Sequence, residues 1–209
     1  MLESDFVVGW KNIRREDYVG SSHGYRKSQR AVGTSNGAGA HNVQIFVLSP
    51  DLVVLHALPG FWHPEDLARE LWFSKMLFRL WQDESRTRAQ KDDMFARLQL
   101  AEPGNHPPET FARSSWQGFD ASFERGRARS MARDTVVVTE DGKLARDDQG
   151  RLKMKPINVL VHERMSRRPF VPFADFDVTG FIDYGIEFYD NNMRIGDRGK
   201  KFRVRKKRR

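Results

Sequence analysis

Residues 43–58 hold two β-favouring runs, VQIFVL and LVVLHAL, separated only by Ser49, Pro50 and Asp51. Pro50 has the φ that the second position of a tight turn requires. So short a connection makes the two runs an antiparallel β-hairpin, which Pro59 and Gly60 end. A helix signature follows at once. His63 stands at the cap and Pro64 in the first turn, where its missing N–H costs little, and Glu65 and Asp66 face the positive helix end. Leu67, Leu71, Met76, Leu77 and Leu80 fall near helical spacing and predict a helix over 64–82 with one apolar face. Trp72, Phe73, Phe78 and Trp81 widen that face beyond what a small sheet needs, so the helix is expected to pack on the sheet and on something downstream.

The flanks are less regular. DFVVGWKNI (5–13) reads as a buried strand. Residues 14–30 are polar, and 33–42 (GTSNGAGAHN) form a small-residue loop. Beyond Arg86, a polar helix is expected with Met94, Phe95, Leu98 and Leu100 as its contacts. It is broken at PGNHPP (103–108), and one or two helices follow in 109–133. Residues 135–154 suggest a second β element turning at Asp141-Gly142. Helices are expected at 158–168, stopped by Pro169, and at 178–189. No internal repeat is present.

Charge separates body from tail. The net charge is +8, but Arg194–Arg209 holds ten basic residues and one Asp, and the rest of the chain 26 basic and 27 acidic groups. The body is therefore balanced, and a nucleic-acid or anionic-surface role must rest on Lys200, Lys201, Arg203, Arg205, Lys206, Lys207, Arg208 and Arg209. Beyond Asn191 apolar content is too low for independent folding. No apolar run approaches the roughly 20 residues of a membrane helix, and MLESDFVVGW lacks the features of a signal peptide. A cytoplasmic protein with no membrane partner is the expectation. The chain has no cysteine, which excludes disulfides, thiolate metal sites and thiol nucleophiles.

The order of elements resembles the C-terminal part of a thioredoxin-like domain. DFVVGWKNI looks like that fold's second strand, and VQIFVL and LVVLHAL like its terminal hairpin ending in glycine. HPEDLARELWFSKML looks like its last helix. The resemblance covers residues 3–85. It implies an α/β class: an incomplete thioredoxin-like domain over 1–86, an α-rich extension over 87–190 with a short hairpin near 135–154, and a basic disordered tail over 191–209. The family's redox Cys-x-x-Cys segment has no counterpart after Met1, and its cis-proline slot falls at His41-Asn42. Those two residues are the candidate ligand contacts. Three functions remain open: a non-catalytic interaction or scaffold module with an unidentified protein partner, an N-terminally shortened thiol–disulfide oxidoreductase, and a nucleic-acid or ribosome-associated protein acting through its tail. Oligomeric state is left open.

Other constellations give little. Gly33, Gly37 and Gly39 precede a strand and lack the lysine of a phosphate loop. The six histidines (23, 41, 56, 63, 106 and 162) form no i, i+3 or i, i+4 pair, so no metal motif and no cofactor is read from spacing, and only folding can assemble such a site. His56 and His63 are expected in packing and capping roles. No catalytic Ser–His–Asp order is evident. Asp183 and Glu187 are expected to neutralise the nearby tail, and Phe181, Tyr184 and Phe188 to form a stripe returning to Trp72, Phe73 and Trp81.

Overall fold

The computed structural model describes residues 2–13, 16, 35–38 and 43–185. The expected hairpin is present as β1 (Gln44–Leu48) and β2 (Val54–Pro59), antiparallel, with Val47 opposite His56 and an irregularity at Val47/Leu48. Ser49 organises the turn: its Oγ donates to Asp51 Oδ1 and accepts from the Val53 N–H at 3.0 Å. Gly60 takes φ +71°, and a Cβ there would stand 2.2 Å from the Ala38 carbonyl oxygen. The hairpin can therefore lie against the Asn36–Ala38 turn only with glycine at this position.

Helix α2 (Pro64–Gln82) follows as its signature dictates. Its buried residues are Asp66, Glu70, Leu71, Phe73, Ser74, Leu77 and Leu80. The side facing the core thus carries a polar line at 66, 70 and 74, spaced by four, beside an apolar one. Helix α3 (Arg88–Ala101) begins at a capping box between Thr87 and Gln90. Phe95 is its buried anchor, while Leu100, expected as a contact, faces solvent. A 3-10 turn (Glu102–Asn105), α4 (Pro108–Arg113) and α5 (Gly118–Ala128) follow, then α6 (Ile157–Ser166), which packs on α3 and β2. Covered by α2 and α6, β2 is buried at every residue.

The main hydrophobic core draws from both sides of residue 86, joining the hairpin, α2, Phe95, α6 and the Phe170–Tyr184 segment. The downstream partner predicted for the wide α2 stripe is largely Phe170, whose ring lies 4.9 Å from Trp81 and 4.7 Å from Phe95. Trp72, however, remains half exposed. The 135–155 region makes two successive tight turns rather than one, bridged at Val136–Met154, Val138–Leu144 and Arg146–Leu152, with Gly142 and Gly150 at positive φ.

Two expectations about elements are corrected. The strand over 5–13 is a single helical turn, α1 (Leu2–Asp5), followed by irregular chain with Val7, Val8 and Trp10 exposed. An apolar run becomes a strand only beside a partner edge, and the one sheet among the described residues pairs β1 with β2 alone. The helix over 178–189 stops early, as α7 (Val178–Phe181). Arg164 takes the Phe181 carbonyl at 2.6 Å and the Asp183 carbonyl at 3.1 Å, occupying acceptors that a continuing helix would use. Asp183 is engaged by Arg127 and Arg133, at 2.8 and 2.7 Å, while Glu187 and the tail lie outside the described residues. No described helix is long and apolar enough to cross a membrane.

Candidate metal centre

Where the polar line of α2 meets β2 and α6, three histidines converge on one carboxylate. His56 Nε2 lies 3.1 Å and His162 Nε2 3.2 Å from Glu70 Oε2, and His106 Nε2 lies 3.4 Å from Oε1. The four side chains are 0–1% exposed. Each reaches the centre for a local reason. His56 interrupts an otherwise apolar strand on the face covered by α2. Glu70 sits one turn beyond Asp66 on the buried side of α2. His162 sits between Val161 and Met165 in α6, and His106 is held between Asn105 and two prolines at the start of α4.

An outer layer orients the rings. Gln99, four residues after Phe95 on α3, accepts from His162 Nδ1–H at 2.7 Å, and its amide nitrogen lies 3.5 Å from His56 Nδ1. A single amide held between two imidazoles gives them opposite tautomers. With both rings neutral, His162 directs a nitrogen free of hydrogen at Glu70 and His56 directs an N–H; when protonated, His162 donates to Glu70 as well. An ion bound through His56 Nε2 displaces the proton there. Asn158 on α6 contacts His106 Nδ1 at 2.9 Å. Ser74 donates to the Glu70 carbonyl at 2.7 Å. The His56 and His162 rings stack at 5.1 Å, and Phe73 packs edge-on to both.

The electrostatics are unusual for a buried carboxylate. Among the described residues, the salt-bridge partners of Glu70 are histidines, with no Lys or Arg. Burial opposes its ionisation, but the charge and hydrogen bond of His162, with the hydrogen bond of His56, outweigh burial and hold the carboxyl well below the ordinary range. Burial pushes His56 and His106 down and favours the neutral imidazoles that coordinate metals. One ligand atom from each of His56, Glu70 and His162 can be chosen so that all lie within 4.8 Å of one another. Around a zinc-sized ion with bonds of about 2.0–2.1 Å, tetrahedral ligand atoms stand about 3.3 Å apart. The observed nitrogen–oxygen separations fall close to that value.

His41 and Asn42, and the tail residues Lys200, Lys201, Arg203, Arg205, Lys206, Lys207, Arg208 and Arg209, lie outside the described residues. Spacing rules missed this cluster because its members come from four separate segments. The signal that could have found them is polarity out of place: a histidine inside LVVLHAL, a glutamate on the apolar side of α2, and a histidine inside NVLVHERM. Comparison with protein-family models, with curated proteins and with solved structures found no match to this chain.

Proposed function

We propose that this protein binds a divalent transition-metal ion at His56, Glu70 and His162. The observation that carries the reading is the fully buried Glu70 carboxylate, which among the described residues meets imidazole nitrogens and no permanent cation. A buried charge needs a counter-charge, and two neutral imidazoles with one carboxylate supply a donor set suited to zinc, cobalt, nickel or iron in the +2 state. Without a thiolate, the set does not favour soft cuprous ions. The ion would join β2, α2 and α6, and its binding energy would add to folding energy.

The test is thermal unfolding of the full chain with Zn²⁺ or Co²⁺ and with chelator. The expected result is a higher Tm with metal in the wild type and no metal response in His56→Ala or His162→Ala. A wild-type Tm indifferent to every such ion contradicts the proposal. Thiol–disulfide exchange finds no support, because the chain offers no thiol. An interaction module of thioredoxin-like type is a second reading, supported by the hairpin–glycine–helix order. Added partner should then slow amide exchange along Gln44–Leu48, and unchanged exchange there would remove this reading.

A further inference from the structure

We infer that His106 is a fourth ligand, so that the ion is enclosed by three histidines and one glutamate with no position left for substrate. The inference rests on the metal-binding reading and adds what that reading leaves open. Two histidines and a carboxylate alone leave coordination sites free, as in catalytic centres; a fourth protein ligand makes a structural site.

Two observations carry it, both at the loop that precedes α4. His106 Nε2 is buried, points at the Glu70 carboxylate from 3.4 Å, and makes no hydrogen bond. That separation is longer than a good hydrogen bond, yet matches the edge of a tetrahedral zinc-class site, about 3.3 Å. Behind the ring, Asn158 Nδ2 contacts His106 Nδ1, and among the described residues the Asn158 Oδ1 atom is the other buried side-chain polar atom without a hydrogen-bond partner. The opposite amide orientation sets Oδ1 to accept from His106 Nδ1–H and leaves Nε2 as a bare lone pair aimed at the centre. This is the second-layer arrangement that orients metal-bound histidines. Such an ion explains why a buried ring nitrogen faces a carboxylate without bonding to it.

The geometry also specifies how the site closes. The mutually close set is His56, Glu70 and His162, with His106 on the other carboxylate oxygen. His106, which stands outside that close set, completes the shell by a ring movement toward the ion, from the segment between Asn105 and Pro107. The ion would then tie a fourth element, this loop, to β2, α2 and α6.

The visible spectrum of the full chain loaded with Co²⁺ tests this. The expected wild-type spectrum has the intense bands of four-coordinate cobalt and does not change on adding azide. In His106→Ala the bands should shift, azide should perturb them, and free imidazole should restore the wild-type spectrum. Cobalt affinity should fall by more than the roughly 10–100-fold that loss of an outer-layer partner costs. A wild-type spectrum that responds to azide overturns the fourth-ligand assignment and leaves metal binding intact, and it requires no variant to fold. Identical spectra for wild type and His106→Ala do the same. A wild type that takes up no cobalt overturns both.

Discussion

Asp66 and Glu70 stand one turn apart on the buried side of α2, and the fold surrounds them differently. Asp66 is met by Arg113 Nε and Nη2, each at 2.7 Å, by Thr110 Oγ1 at 2.6 Å and by Asn36 Nδ2 at 2.8 Å. Asn36 passes the link on, accepting the His63 N–H at 2.9 Å and so fixing the entry to α2. Burial opposes ionisation of Asp66, but Arg113, Asn36 and Thr110 outweigh it and hold the carboxyl at about 2. Glu70 receives imidazoles, and beside it stands a buried nitrogen with no hydrogen bond. The first carboxylate is saturated by permanent partners and clamps α4 and the 35–38 turn to α2. The second is surrounded by imidazoles whose ring nitrogens can coordinate a metal. Equal burial on one helix face therefore serves stability in one case and, on our account, ligand binding in the other.

The sharpest way to break this comparison is to remove each carboxylate in turn. Asp66→Ala leaves Arg113 unpaired and should lower stability by about 3 kcal/mol, at the low end for a broken buried pair because Arg113 keeps some solvent contact. The loss should be the same with metal or chelator, measured by urea unfolding. Glu70→Gln should cost much less in chelator, since it removes a charge without a permanent counter-ion, and should abolish the gain from metal. That gain in the wild type is about 2.7 kcal/mol with free ion at 100 times Kd. If Glu70→Gln in chelator proves as damaging as Asp66→Ala, the two carboxylates are both clamps and the contrast fails.

Acid should report Asp66 next. Its folded pKa lies below the unfolded value of 3.8, so its contribution is present above that value and is lost as pH falls through it toward about 2. The loss is on the order of 2 kcal/mol. Asp134, held at about 2 against burial by Arg164 and Arg167, titrates with the same sign. An acid unfolding curve for Asp66→Asn that keeps the full wild-type slope between pH 4 and pH 2 would contradict this assignment. The smallest effect sharpens the local picture: Thr87→Ala removes the side-chain half of the α3 capping box and should cost about 1 kcal/mol with metal affinity unchanged.

Much of the framework was legible because local chemistry determines it. The hairpin, its turn at Ser49–Asp51, α2 with Pro64 in its first turn, and the stop of α6 before Pro169 all rest on neighbours in sequence. The apolar run at Phe6–Val8 was misread because a strand depends on a distant edge that the sequence does not display. The helix expected to 189 was misread because Arg164 takes carbonyls from another part of the chain. The cluster was illegible for the same reason. His56, Glu70, His106 and His162 are far apart in sequence, and only the packing of α2, α3 and α6 around β2 brings them together. Asp66, Glu70 and Ser74, spaced by four on an otherwise apolar side, and the histidines inside LVVLHAL and NVLVHERM are its local traces.

The most direct test of the central claim is native mass spectrometry of the full chain after exposure to Zn²⁺ and removal of loosely bound ion, with Glu70→Gln alongside. The account predicts one retained ion per chain in the wild type and none in the variant. A wild type that retains no ion, or a variant that retains one equally well, would contradict it.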